Sequence, residues 1–203
     1  ALLGGNTVLF KPSELTPVTG RKLAECFPEE LFERNILNLV QGGGEVGRSL
    51  VEHEDVSYVS FVGSRRTGEW IYKASSAHLR DVSLELGGKD PFLVLEDADV
   101  GQAVRDLLHG GFKNCGQVCC GIERVLVHES LRASFQQQLT EGVGEMVLGN
   151  GLDEETDLGP MIRETEVERV DRHLEDARNR GADVVRGPGH EKKTEGYWRS
   201  PAI

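Results

Sequence analysis

No apolar run in the 203-residue chain approaches the roughly 20 residues that a membrane-spanning helix needs. Nor does a basic-then-apolar stretch open the chain as a secretory leader would. A membrane partner is therefore not expected. A basic face is lacking too. Lysine and arginine number 23 against 34 aspartates and glutamates, a net charge of −11, which argues against a nucleic-acid partner. The acidity reads as ordinary solubility. Cysteine is scarce: four residues without regular spacing do not make a disulfide framework in a chain of this size. The adjacent pair Cys119-Cys120 is badly placed to bridge itself. A reducing, cytoplasmic compartment is the expectation. The chain opens on Ala1 without a Met and stops at Ile203 inside an apolar segment, so a piece of a longer protein is expected. No internal repeat is visible.

What is present is an alternation. Hydrophobic residues make up 38% and charged residues 28%, enough apolar material for one large domain or two small ones. Residues 6–11 form a short apolar run led by Gly4-Gly5 and closed by Pro12, predicting a strand that ends at Lys11. Ser13 or Thr16 can cap a helix to about Cys26, with Pro17 in its first turn. Strands are predicted over 36–40, 56–62 and 82–86, with helices over 45–53 and 66–75 between them. After Gly87-Gly88 come a strand at 92–95, a helix within 97–112, a strand at 124–128 and a helix over 130–146. A polar helix at 164–178 and short strands at 183–185 and 197–203 follow, with a surface loop from Gly187 through the charged run to Glu195. This pattern predicts βαβ units and a parallel sheet buried on both faces. Ligands in such α/β folds gather at the carboxyl ends of the strands. Lys11, the triplet Gly42-Gly43-Gly44, Gly63-Ser64 and Glu85-Leu86-Gly87-Gly88 all fall at such ends.

Each of these residues has a bland reading beside a functional one. Gly42-Gly43-Gly44-Glu45-Val46-Gly47 fits G-x-G-x-x-G after a strand, but the acidic ribose partner expected after the next strand is absent. The glycines can serve a turn alone. Ser64 is a helix cap or a phosphate ligand at a helix N-terminus. Lys11 is a solvated lysine or a ribose or phosphate ligand, and Glu14 a first-turn charge or an acceptor from ribose hydroxyls. Glu85 sits in the apolar run Val82-Ser83-Leu84-Glu85-Leu86. A carboxylate in a buried strand is expensive, and desolvation would raise its pKa toward the range of a general base. At a sheet edge it would simply face solvent.

Three of the four cysteines lie in Asn114-Cys115-Gly116-Gln117-Val118-Cys119-Cys120, between a predicted helix and strand. A cysteine at such a junction can expose its sulfur and leave backbone N–H groups free, as a thiolate nucleophile facing an oxyanion requires. Metal ligation is the rival. The spacing C-x-x-x-C-C lacks a distant partner pair and no His-x-x-x-His follows, so no metal is expected. Cys26 reads as a small core hydrophobe on an amphipathic helix. His53, His78, His128, His173 and His190 read as surface residues, and His109 as packed on its helix.

In their order, the motifs resemble the NAD(P)-dependent aldehyde dehydrogenase superfamily over essentially the whole chain. The blocks are Gly5-Asn6-Thr7-Val8 through Lys11-Pro12-Ser13-Glu14; Gly42-x-Gly44-Glu45-Val46-Gly47; Phe61-Val62-Gly63-Ser64; Leu84-Glu85-Leu86-Gly87-Gly88-Lys89; and Phe112-x-Asn114-x-Gly116-Gln117-x-Cys119. The resemblance implies a partial Rossmann-type parallel sheet at 1–86, the C-terminal part of a dinucleotide-binding domain. Residues 87–203 would be the N-terminal part of a second α/β domain, catalytic and thiol-bearing. It implies NAD as cofactor, with NADP as the alternative; Glu14 favours NAD because its carboxylate repels a ribose 2′-phosphate. Cofactor contacts are implied for Lys11, Pro12, Ser13 and Glu14, for Gly44 and Gly47, for Phe61, Gly63 and Ser64, and for Leu86 and Gly87. Catalysis is implied for Cys119, as the thiol that attacks an aldehyde, and for Glu85, as the base that hydrolyses the thioester. Val118 and Cys120 would line the aldehyde pocket. The family's oxyanion asparagine would lie upstream of Ala1 and a further nicotinamide-ribose ligand beyond Ile203. The full-length parent is expected to be a homo-oligomer acting on a small aldehyde, and the fragment alone to have little or no activity. The rivals are a coenzyme A-acylating relative and a non-catalytic nucleotide-binding fragment of the same fold.

Overall fold

The computed structural model describes residues 1–189 and 195–203. His190 and most of the charged loop expected before Glu195 lie outside the described residues. The chain divides into two compact units, Ala1–Leu86 and Gly87–Ile203.

In the first unit, strands β1 (Val8–Phe10), β2 (Leu37–Leu39), β3 (Tyr58–Gly63) and β4 (Asp81–Leu86) alternate with helices α1 (Pro17–Ala24), α2 (Glu30–Glu33), α3 (Gly44–Glu52) and α4 (Arg65–Ser76). The sequence pattern did not announce the single turn of α2. β1 pairs with β2 and β3 with β4, both in parallel, as intervening helices require of strands that re-enter from the same end. Pro17 starts α1 with φ already fixed for a helix, while Thr16 makes no side-chain cap bond. Ser13 instead accepts the Leu15 N–H in the preceding turn at 3.2 Å. Ser64 caps α4 by accepting the Thr67 N–H at 3.3 Å. The far end of α3 is held differently. The buried Arg80 donates to the Val51 carbonyl and, at 2.7 Å, to that of His53, satisfying acceptors that a helix C-terminus leaves open. Gly68 permits the contact between α4 and β4, since a Cβ there would stand 2.8 Å from Leu86 Cδ2.

In the second unit, β5 (Asp90–Val94) leads through α5 (Val100–Phe112) to β6 (Ile122–Val127), again in parallel, and then to α6 (Arg132–Glu145) and α7 (Glu164–Asn179). Asp99 caps α5, accepting the Gln102 N–H at 2.9 Å. Val94, Ala103, Val104, Leu107, Phe135, Leu139 and Val143 form one buried cluster. Each fully buried Val, Leu or Phe side chain stabilises by about 1.5–3 kcal/mol. The segments predicted as short strands at 183–185 and 197–203 meet as a brief antiparallel pairing. Val185 and Ile203 exchange two backbone hydrogen bonds, and Gly187 donates to Pro201.

Three expectations are corrected. The strands are not buried on both faces: Tyr58 and Val62 on β3, Leu93 on β5 and Leu126 on β6 are exposed. The reason is that α4 covers one face of β3–β4 and α5 one face of β5–β6, leaving the alternate side chains uncovered. Glu85 shares that exposure, in register with Val62, rather than lying buried among its apolar sequence neighbours. Cys26 is exposed rather than core, because α1 ends at Ala24 and carries it past the helix, where its thiol donates to the Lys22 carbonyl. Among the described residues, no helix is long and apolar enough to cross a membrane.

Candidate active site

Parallel pairing brings the carboxyl ends of neighbouring strands side by side. Phe10 is in register with Leu39, so Lys11 leaves β1 beside the glycine loop that follows β2. Its ammonium donates to the carbonyls of Pro12 and Gly42, each at 2.8 Å, and lies 3.8 Å from Glu14. A lysine has three donors, so one remains for a ligand. Gly47 faces the same stem: a Cβ there would lie 3.5 Å from Lys11 Cε. Pro12 is buried, whereas Ser13 and Glu14 are exposed. Gly44 opens α3 with open space where a Cβ would stand.

The second pair of strands places Gly63 opposite Leu86. Ser64 then starts α4, and Gly87 leaves β4 exposed, with no atom within 4 Å of where its Cβ would stand. Phe61 is half-buried and its ring folds over Gly63. The first turns of α3 and α4 offer unpaired N–H groups and the positive end of a helix dipole, the arrangement that suits a pyrophosphate. Lys11, Glu14, Gly42 and Gly47 are therefore gathered at one strand edge, and Gly63, Ser64, Leu86 and Gly87 at the other. Glu85 lies at the latter edge.

In the second unit, α5 ends in a tight turn over Lys113–Gly116. Asn114, Cys115 and Gly116 take positive φ values of 53°, 58° and 72° in succession. Gly116 adopts that backbone freely, Asn tolerates it, and Cys does so only at a cost. The turn then presents Cys119 and Cys120 to solvent, while Cys115 is half-buried. The Cys115 thiol donates to the Gly159 carbonyl at 3.1 Å, and burial pushes its pKa up. Gly121 donates to the Val118 carbonyl, closing the next turn around Cys119. Among the described residues, no carbonyl accepts from the Cys119 N–H. That leaves a fixed N–H free beside an exposed sulfur. A cleft of about 590 Å³, lined in part by His109, Lys113, Asn114 and Glu145, opens beside the turn. His109 is exposed rather than packed. Among the described residues, no three His, Cys, Asp or Glu side chains gather as a metal site needs. Nothing local marks Gly159 and Ile162 as neighbours of the cysteine turn, because they lie 44 and 45 residues from the side chains they meet.

A family model described as the aldehyde dehydrogenase family matches residues 1–203. The chain belongs to the aldehyde dehydrogenase family. Betaine aldehyde dehydrogenase of Rhizobium etli is 38% identical to it over 205 residues, covering 100% of this chain and 42% of that protein. 3-Sulfolactaldehyde dehydrogenase of Priestia aryabhattai is 40% identical over 204 residues, with the same two coverages. Among solved structures, a betaine aldehyde dehydrogenase from Staphylococcus aureus in complex with NAD+ matches with a TM-score of 0.88 at 34% identity, over 97% of this chain and 40% of that one. This aldehyde dehydrogenase chain thus spans about two fifths of the length of the curated relatives it matches. Its α/β architecture with parallel strand pairs is the aldehyde dehydrogenase fold over that part.

Proposed function

We propose that the protein oxidises an aldehyde to a carboxylic acid with NAD, and that Cys119 is the nucleophile. The observation that carries this is the exposed Cys119 in a closed turn, with its own N–H uncommitted, inside a chain of this family. The thiolate attacks the carbonyl carbon and forms a thiohemiacetal. The Cys119 N–H donates to the oxygen that gains charge, where a preorganised donor is worth most. NAD, when bound, supplies the hydride acceptor that lets the thiohemiacetal become a thioester. Glu85, exposed at the end of β4, takes a proton from the water that hydrolyses the thioester.

In the same reading, Ala1–Leu86 is the C-terminal part of the dinucleotide-binding domain, and Gly87–Ile203 the N-terminal part of the thiol-bearing catalytic domain. Lys11 and Glu14 hold the adenosine ribose, and Ser64 holds the pyrophosphate at the start of α4. Pro12, Ser13, Gly44, Gly47, Phe61, Gly63, Leu86 and Gly87 complete the cofactor surface. The residues fit NAD on physical grounds, because the Lys11 ammonium keeps one donor in reserve and the first turns of α3 and α4 remain available. Location in the cytoplasm and assembly of the full-length protein into a homo-oligomer belong to the same proposal.

The test is a panel of aldehydes, including betaine aldehyde and 3-sulfolactaldehyde, given to the full-length protein with NAD while NADH is followed by absorbance. NADH formation that disappears in Cys119→Ala supports the reading. NADH formation that survives in that variant removes Cys119 from the chemistry.

A further inference from the structure

The turn that carries Cys119 is fastened to a distant segment by two side chains that the proposed chemistry does not use. The Cys115 thiol donates to the Gly159 carbonyl at 3.1 Å. Gln117 accepts the Ile162 N–H through Oε1 at 3.2 Å and donates through Nε2 to the Asn114 carbonyl at 3.0 Å. Both Gln117 contacts fix its amide the same way round, since a flipped amide would set donor against donor and acceptor against acceptor. Asn114 completes the clamp by donating to the Gln117 carbonyl at 3.1 Å. The receiving segment is itself anchored. Leu158 and Met161 are buried, Gly149 donates to the Leu158 carbonyl, and Met161 donates to that of Tyr197.

We propose that Cys115 and Gln117 are positioning residues that latch the nucleophile turn onto residues 159–162; the proposal rests on Cys119 as the nucleophile. The backbone shows why a latch is needed. Asn114 and Cys115 are held at positive φ, a conformation that persists only where the surroundings over-determine it. Four side-chain hydrogen bonds across and beneath the turn do so. Released from them, Cys115 relaxes toward ordinary backbone angles, and the direction of the Cys119 N–H and sulfur four residues later is no longer fixed. The three thiols thereby divide. Cys119 reacts, Cys120 flanks it, and Cys115 serves as a protonated donor, a role its burial favours.

The test uses the full-length protein and iodoacetamide as the probe, with alkylation of Cys119 resolved from its neighbours by fragment mass spectrometry. Cys115→Ser and Cys115→Ala share the same backbone cost and differ in one donor hydroxyl. The expectation is a Cys119 rate about fivefold slower in Cys115→Ala, and a rate close to that of the unmodified protein in Cys115→Ser. NAD affinity, read by calorimetry, stays unchanged in both. A general loss of stability would lower the melting temperature without separating the Ser and Ala rates. Equal Cys119 rates in the two variants overturn the latch. Should Cys115→Ala fail to fold, Gln117→Glu, which keeps the acceptor for the Ile162 N–H, is set against Gln117→Met, which removes it. A slower Met variant supports the latch and equal rates overturn it. Failure of the catalytic reading shows separately, as turnover that survives Cys119→Ala.

Discussion

In Ala1–Leu86 the proposed cofactor residues stand on exposed strand ends and helix starts, tied by polar pins such as Lys11 to Gly42 and Arg80 to the end of α3. In Gly87–Ile203 the thiol turn is flanked by Phe112 and Ile122, which pack against one continuous apolar cluster. The difference suits two tasks. A surface that wraps a dinucleotide needs free donors and room, and the ligand completes its hydrogen bonds. A nucleophile needs a fixed direction, and dense packing together with the proposed latch through Cys115 and Gln117 would provide it. If this division holds, changes in the second unit act on chemistry and stability, and changes in the first act on NAD affinity.

The largest effect is expected for Cys119→Ala. Turnover should fall on the order of 10³-fold or more, while calorimetric NAD affinity stays as it was. A parallel loss of NAD binding breaks the comparison at its strongest point. Glu85→Gln comes next and crosses the division, since Glu85 sits on the cofactor unit but is assigned to chemistry. Its loss should slow thioester hydrolysis about 10²- to 10⁴-fold, and rapid quench should show acyl-enzyme accumulating. Unchanged turnover sinks its role and favours a relative that hands the thioester to coenzyme A.

Packing is tested by Phe135→Ala, which empties the centre of the second unit's cluster and should destabilise by about 3–5 kcal/mol in denaturant melts. Cys119 alkylation should change with it and NAD affinity should not. Lys11→Ala is the reciprocal case. It removes a charged donor between two carbonyls and a carboxylate, and should weaken NAD about ten- to a hundredfold in calorimetric titration. Cys119 reactivity should be untouched.

The order of strands and helices was legible because glycines, prolines and capping residues punctuate nearly every apolar run. The proposed cofactor residues fall at strand ends for the same reason: in a parallel α/β chain, the residue after each strand is already placed. Exposure was not legible. Val62 and Leu126 look like core residues in a string of letters, yet each lies on the face its helix leaves uncovered. The apolar sequence neighbours of Glu85 predict burial, whereas its surroundings depend on the face it takes in β4. Cys26 reads as core from the amphipathic pattern, but the helix ends two residues short of it, at Ala24. The Cys115 and Gln117 contacts were invisible for another reason. Their partners are backbone groups of Gly159 and Ile162, and any residue offers a carbonyl or an N–H, so no residue type marks them.

The smallest effect gives the sharpest contrast. Ser64 and Asp99 do the same structural work, each accepting the backbone N–H three residues on: 3.3 Å to Thr67 for Ser64, 2.9 Å to Gln102 for Asp99. Ser64→Ala and Asp99→Ala should therefore each cost about 1 kcal/mol of stability. If Ser64 is also a pyrophosphate ligand, Ser64→Ala should in addition weaken NAD by about fivefold, the loss of one neutral donor, while Asp99→Ala leaves NAD affinity alone. Ser64→Thr, which keeps the hydroxyl, should restore both quantities. Equal NAD affinities in Ser64→Ala and Asp99→Ala would reduce Ser64 to a helix cap, and would leave Lys11 and the first turn of α3 to hold the phosphates.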